Sequence, residues 1–527
     1  MALFDSLYSS TSKEFTTIGR LSLAAFSGFL LAECYTGIGF AIGSWVFVML
    51  LLLPLFGARG RVAFSSGFLH GLVFVLTSLY WIAIVLVVHG GLSHLGGIGV
   101  LLLIALAWGV LTGLFAWCVN FISRRSIARA CIAAPFLWVA FEFVRAHLPE
   151  IGFPWNLLGY PAAANLALVQ LTAVTGIYGL SFVVAGFNAL SAWTVSAAPA
   201  GYWRRCSILL GAVIVLVAIA WLGPRFVPEA RAGHFARAVQ LNFPEAESYE
   251  SDWFRLHAAE LDEIERLSVA PPDKTPDIIV WPEAPAPFSF EDPQFARRAS
   301  ALAVRSGMPF LAGDIEWKPL AVSEGQSGQT RMAPYNSAIL VDRQGQRVFE
   351  YDKIHLVPYG EYEPFPLIHR VVTNVSNEVG GFTPGSNVAV GTLANGHRFS
   401  VFICYEAIFA GEIRRFAAKG AQVFFNLSND GWFGRSAAPA QHLAMARVRA
   451  VENRRWLVRS TNNGYTVSVD PYGRIVARLA PDVRASVDLP YDFRTDETLY
   501  TRLGDWFAWL CVIVSALLPM FALASRK

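Results

Sequence analysis

Seven apolar stretches, at residues 17–33, 37–57, 64–88, 95–122, 127–146, 167–195 and 206–223, each approach or exceed the roughly 20 residues with which a helix crosses a bilayer. An eighth runs from Trp506 to Ala524. Hydrocarbon offers the backbone no water to bond to, so segments of this kind must become helices. Apolar residues make up 54% of the 527 and charged residues only 15%, too few to solvate a globule of that size. A net charge of +3 is near neutral and argues against nucleic acid as a partner. The expected architecture is a polytopic α-helical membrane domain of eight helices carrying one large polar domain.

Lys and Arg residues set the orientation. Lys13 and Arg20, Arg59 and Arg61, Arg124, Arg125 and Arg129, Arg204 and Arg205, and Arg526 and Lys527 fall in every second connection. Those loops and both termini are therefore expected in the cytoplasm. Seven crossings in residues 1–223 then deliver residues 224–500 to the far side, and residues 501–527 bring the chain back. "LAEC" at Leu31–Cys34 has the outline of a lipoprotein cleavage box, but Glu33 occupies a slot that takes a very small residue, so the first helix is expected to be retained. Gly37, Gly39 and Gly43 lie in an apolar segment with the wrong spacing for a nucleotide loop and suit helix packing. Glu142 and Arg145 share a helix face and are expected to form a structural ion pair.

Five of the six cysteines (Cys34, Cys118, Cys131, Cys206 and Cys511) sit in or beside apolar segments, where a thiol behaves as a small hydrophobe. Only Cys404 lies in the polar domain. A lone thiol in a disulfide-permissive compartment points to reactivity.

Within residues 224–500, short runs rich in Val, Ile and Phe alternate with helical patterns, the rhythm of a layered α/β domain. Strands are expected at "ARAVQLNF" (236–243), "DIIVW" (277–281), "PFLAGD" (309–314) and "AQVFFNLS" (421–428). Helices are expected across Asp252–Ser268, Asp292–Ser306 and Pro439–Asn453, with turns at "DRQGQ" (342–346) and "ANGH" (394–397). The polar stretch 321–334 reads as a surface loop. Residues 353–385, broken by Pro358, Pro364, Pro366 and Pro384 yet holding Tyr359, Tyr362, Phe365 and Phe382, read as a lid or a substrate-facing wall.

Three of the apolar runs end in chemistry: "DIIVWPE" at Glu283, "RVFEYDK" at Lys353 and "FSVFICYE" at Cys404. Groups at strand ends in layered α/β domains converge on one crevice. A carboxylate in a partly dry pocket can take the proton of a thiol, which then attacks an acyl carbonyl. Lys353 and a main-chain N–H beside Cys404 would meet the oxyanion, and the product would be a thioester. Glu361 is a candidate ion-pair partner for Lys353. Tyr405 and Glu406 make an entirely apolar surrounding of Cys404 implausible. His355, His397 and His442 lack ligand spacing, so no metal is expected, and no cofactor motif is present.

"WPEAPAP", "DKIHLVPYGEYEPF", "ICYEAIF", "NLSNDGWFG" (426–434) and "RVRAVENRRWLVRSTNNG" (447–464) occur in that order, and together they resemble the nitrilase superfamily. With the flanking apolar segments and "GFPWNLLGYP" (152–161), the whole chain is similar to its membrane-bound acyltransferases. The resemblance implies an αββα sandwich in the periplasm, on the outer face of a bacterial inner membrane. It implies an acyl donor phospholipid, commonly phosphatidylethanolamine, and a diacylated apolipoprotein whose α-amino group receives the chain. It assigns Glu283 as base, Lys353 as oxyanion stabiliser and Cys404 as nucleophile, with Glu361, Tyr405 and Glu406 in support. Trp281, Trp432 and Phe433 are candidate substrate contacts. The family's Trp shortly after the first strand of the domain is replaced here by Tyr249 and, further on, Trp253. A membrane-tethered amidase or nitrilase could use the same three groups, and a non-catalytic lipid-binding or transport protein could keep the fold. The intact trio, and the scarcity of charges in the apolar segments, count against the latter.

Overall fold

The computed structural model describes the chain except residues 1–14, 37–40, 150–151, 197–200, 245–251, 272–273, 320–331, 363–380 and 525–527, and the side chains of 519–524. Lys13, Gly37, Gly39, Tyr249, Pro364, Phe365, Pro366, Arg526 and Lys527 therefore lie outside the described residues.

Among those described, every regular element before residue 227 is helical. Five helices are long and apolar enough to cross a membrane: Gly60–Ser78, His94–Ser123, Ile127–Ala146, Ile177–Ser196 and Tyr202–Phe226. Thr17–Glu33, with 17 residues, and Ala41–Leu55 do not reach that length, while the last helix, Trp506–Ala524, has 19 residues. The Gly60–Ser78 and His94–Ser123 helices touch closely because a Cβ on Gly67 would stand 2.3 Å from the carbonyl oxygen of Thr112. Side chains such as Trp203, 71% exposed, and Ile214, 59% exposed, stand on a Tyr202–Leu222 helix that buries almost nothing. An apolar surface of this extent calls for lipid around it.

Three sequence expectations need correction here. The stretch 64–88 is two helices, Gly60–Ser78 and Trp81–Val88, because the chain turns at Leu79 and Tyr80 and sends the Trp81 indole to Gln441 of the outer domain. The stretch 167–195 is broken at Gly176, whose φ of +64° ends one short helix before Ile177–Ser196 begins. Glu142 and Arg145 form no ion pair among the described residues. Glu142 accepts from Trp138 Nε1 (3.0 Å) and Leu158 N–H (2.7 Å), while Arg145 donates to the carbonyls of Phe153 and Trp155 and lies over the Trp108 ring.

Among the described residues the outer domain has twelve strands: β1 His234–Gln240, β2 Ile278–Val280, β3 Phe310–Pro319, β4 Met332–Val341, β5 Arg347–Asp352, β6 Gly391–Thr392, β7 Arg398–Ile403, β8 Val423–Ser428, β9 Trp456–Thr461, β10 Val467–Val469, β11 Ile475–Arg478 and β12 Ala485–Tyr491. They form two six-stranded sheets, ordered β12-β1-β2-β3-β4-β5 and β11-β10-β9-β8-β7-β6. Strand alternation builds the layers. Ile278, Val280, Leu311, Ala338 and Leu340 face the second sheet and share a core with Val401, Phe425 and Leu427. Their neighbours Ile279, Phe310, Ala312, Ile339 and Val341 face the other way, against Leu261 and Ile264 of the Ala258–Val269 helix and Phe295 and Leu302 of the Pro293–Ser306 helix. Strands buried on both faces read as continuous apolar runs, which is why they stood out in the sequence.

Asp292 caps the Pro293–Ser306 helix by accepting from Gln294 N–H at 2.6 Å. The expected helix across Asp252–Ser268 is two pieces, Trp253–Leu256 and Ala258–Val269. Residues 332–334, expected in a loop, begin β4; 321–331 lie outside the described residues.

Several side chains tie the two halves together, and Gln441 makes four of these bonds. Gln441, on the Ala438–Asn453 helix, accepts from the indoles of Trp81 (3.2 Å) and Trp155 (2.7 Å) and donates to the carbonyls of Tyr35 (3.0 Å) and Ser78 (3.1 Å). All four partners belong to the helical half.

Candidate active site

The ends of β2, β5 and β7 meet over the seam between the sheets. Glu283 follows β2, Lys353 follows β5 and Cys404 follows β7, and all three are buried. Lys353 Nζ lies 3.1 Å from Glu283 Oε1 and 2.9 Å from Glu361 Oε1. Asn336 of β4 donates through Nδ2 to the same two oxygens, at 2.9 and 2.6 Å. The remaining oxygens are also held: Glu283 Oε2 accepts from Asn429 N–H (2.8 Å) and Glu361 Oε2 from Val357 N–H (2.7 Å). Each carboxylate is thus oriented by donors on both oxygens, and the ammonium is clamped between them.

Cys404 takes φ +47°, a left-handed conformation that non-glycine residues rarely adopt and that costs of order 1–3 kcal/mol. This sharp turn converts β7 into the short helix Cys404–Ile408. Glu406 holds it: Oε2 accepts from Ile403 N–H (2.6 Å), while Oε1 accepts from Ile354 N–H (2.6 Å), His355 N–H (3.2 Å) and the Tyr351 hydroxyl (2.7 Å). The turn bearing the thiol and the segment following Lys353 are therefore fastened to one carboxylate.

Burial, reinforced by the Glu283 charge, pushes the Cys404 thiol well above its ordinary range, and Lys353 opposes this. Burial would depress Lys353, but Glu283 and Glu361 outweigh it and keep the ammonium charged above its ordinary range. At neutral pH the resting site holds a protonated thiol beside a charged ammonium.

Beneath Cys404 lies a second polar layer that the sequence motifs did not single out residue by residue. His442 Nε2 is 2.9 Å from the Cys404 carbonyl oxygen, an acceptor only, so the proton sits on Nε2. Its Nδ1 faces Arg459 Nη2 (3.2 Å), which also donates to both oxygens of Asp430 at 2.8 and 2.9 Å. Burial lowers His442, and Arg459 lowers it further, so the ring stays neutral. Burial alone would raise Asp430; the Arg459 guanidinium outweighs it and holds that carboxyl far below the usual range. Asn336, within the apolar run of β4, and "NLSND", polar at the end of β8, were the available signals.

Of the expected substrate contacts, Trp281 is not brought here. It is 3% exposed, donates through Nε1 to Ser268 and packs on Phe310 in the layer under the outer helices. Trp432 and Phe433 sit at the junction with the helical half: Trp432 against His89 (5.0 Å), Phe433 against Trp81 (5.2 Å) and Trp155 (6.0 Å). Tyr405 stacks near Phe153 at 6.4 Å. The Lys353–Gly385 stretch is described as far as Tyr362 and again from Gly381; the rest lies outside the described residues.

Two six-stranded sheets in layers with helices, with a carboxylate, an ammonium and a thiol converging at their strand ends, define a nitrilase-type domain, and residues 236–489 match the carbon-nitrogen hydrolase family. Residues 27–190 match the apolipoprotein N-acyltransferase N-terminal domain. The apolipoprotein N-acyltransferase of Geobacter metallireducens is 34% identical over 511 residues, 96% of this chain and 95% of that protein. The apolipoprotein N-acyltransferase of Brucella melitensis is 34% identical over 399 residues, 73% of this chain and 71% of that one. An amidase from Nesterenkonia sp. of known structure is 18% identical, with a TM-score of 0.36, covering 54% of this chain and 98% of its own. The chain belongs to the apolipoprotein N-acyltransferase family.

Proposed function

We propose that this chain transfers an acyl group from a membrane phospholipid, through a thioester on Cys404, to the α-amino group of a diacylated apolipoprotein. Lipoprotein N-acylation is the activity after which its full-length relatives are named. Glu283 removes the Cys404 proton, the sulfur bonds to the ester carbonyl carbon, and the tetrahedral oxyanion forms against Lys353 and the Tyr405 N–H. Collapse breaks the acyl C–O bond, and the lysophospholipid oxygen leaves with the proton from Glu283. In the second half the acceptor amine, having lost one proton to solvent, bonds to the thioester carbon. Glu283 takes the second proton and returns it to the departing sulfur, leaving an amide and a thiol.

The observation that carries this reading is the position of the nucleophile against the helical half. Tyr405 lies beside Phe153, and His442, which bonds the Cys404 carbonyl, stacks on Trp155 at 5.7 Å. A diacylated substrate would lose about 0.8 kcal/mol per CH₂ on leaving the bilayer, so a site for it has to open at the lipid surface. Trp432 and Phe433, at the same junction, are suited to acyl-chain contact.

In this reading the outer domain is periplasmic, the chain crosses the inner membrane eight times, and both termini are cytoplasmic. A reporter fused after Gly233 that is active only in the periplasm is expected; cytoplasmic activity would overturn the orientation. For the reaction, purified protein with labelled phosphatidylethanolamine should N-acylate a diacylated lipopeptide. Release of label only as free fatty acid would instead make the chain a hydrolase.

A further inference from the structure

A cavity of about 500 Å³ lies between the outer domain and the helical half. Its helical wall is formed where apolar segments end: His147 just after Ile127–Ala146, Tyr178 at the start of Ile177–Ser196, and Asp505 just before Trp506–Ala524. These ends mark the boundary of the apolar bundle, the depth at which phospholipid headgroups lie. The opposite wall contains the immediate sequels of the site residues, including His355 after Lys353, Tyr362 after Glu361 and Tyr405 after Cys404.

Two charged side chains of the Ala410–Ala418 helix face this space, Glu412 and Arg415. Glu412 is 5% exposed; one carboxylate oxygen takes His355 Nδ1, while Oε1 is buried without a hydrogen-bond partner. A buried carboxylate oxygen left without a donor carries a penalty that a bound cation would relieve. No carboxylate among the described residues pairs with the Arg415 guanidinium, which is exposed toward the cavity. Positions three apart on a helix place their Cβ atoms about 5–6 Å from each other, the scale of the two-carbon spacer between a phosphate and an ammonium.

We propose that this cavity receives the phosphoethanolamine headgroup of the donor lipid, with Arg415 on the phosphate and Glu412 Oε1 on the ammonium. The inference rests on the acyltransferase reading and adds to it the residues that select the donor. Phosphatidylglycerol keeps the phosphate and lacks the ammonium, whereas phosphatidylcholine keeps a cation that has no N–H to donate to Glu412.

The test measures Cys404 acylation by the full chain in detergent, with phosphatidylethanolamine, phosphatidylglycerol and phosphatidylcholine of identical acyl composition. The unsubstituted protein should prefer phosphatidylethanolamine, and Glu412→Gln should lower its preference over phosphatidylglycerol about tenfold, as loss of a charge-assisted bond does. Glu412→Asp, which keeps the carboxylate, should retain part of the preference. Arg415→Gln should slow all three donors alike. An unsubstituted protein that does not distinguish the donors, a ratio that Glu412→Gln leaves within about twofold, or a defect only in transfer to the lipopeptide would overturn the assignment. The last outcome would place the acceptor's ammonium, not the donor's, at Glu412. Acylation with an unmoved ratio removes this inference alone, whereas no acylation of the unsubstituted protein by any donor removes the acyltransferase reading with it.

Discussion

Glu406, two residues past Cys404, accepts a 2.6 Å hydrogen bond from the main-chain N–H of Ile354, one residue past Lys353. Its other oxygen accepts from Ile403, the residue before the thiol. One buried carboxylate thereby sets the distance between the proposed nucleophile and the proposed oxyanion donor, and it does so through acceptor positions that an amide can only partly reproduce.

Glu406→Gln should therefore slow acylation of Cys404 about 100-fold while leaving the KM for phospholipid within about threefold, because an amide N–H would face main-chain donors and loosen the turn. Single-turnover acylation measures this. A reduction under about threefold would show that Glu406 does not position the site.

The Cys404 thiol is held above its ordinary range by burial and by Glu283, so its thiolate fraction at neutral pH is small and grows as pH rises. Alkylation of Cys404 by iodoacetamide should accelerate about tenfold per pH unit from 7 to 9 without levelling. A plateau near pH 7 would indicate a preformed thiolate and contradict this electrostatic picture.

Gln441 makes four hydrogen bonds to the helical half. Gln441→Leu would strand two indole N–H groups and two carbonyls, each at about 1–3 kcal/mol where it stays buried and unmet. The expected result is a lower thermal midpoint in detergent and slower acyl transfer from lipid, and an unchanged midpoint would mean that the Gln441 bonds contribute nothing to holding the halves together beside those of Arg447, Arg449, Glu452 and Arg454.

What could be read in the sequence follows from periodicity and from strand ends. Ile278, Ile279 and Val280 announced a strand because both faces of it are buried, and Glu283, Lys353 and Cys404 were visible as polar stops on apolar runs. Periodicity carries no information about which polar groups from distant segments meet. Asn336, placed between two carboxylates, and the Asp430–His442–Arg459 layer under the thiol became visible only when the sheets were assembled. Trp281 shows the same limit from the other side, since its adjacency to Glu283 along the chain suggested a shared pocket, yet strand alternation sends its ring to the opposite face. Likewise hydropathy could not show the break at Leu79, because Trp81 is as apolar as its neighbours and leaves the bundle for a hydrogen bond to Gln441.

The most direct test of the account is the intact mass of the protein after incubation with phosphatidylethanolamine of defined chain length, quenched before any acceptor is added. The account predicts a gain equal to one fatty acyl group, lost on treatment with neutral hydroxylamine, mapped to Cys404 by peptide analysis and absent from Cys404→Ser. A Cys404→Ser protein that still turns over, or an acyl adduct that maps to any other residue, would contradict it.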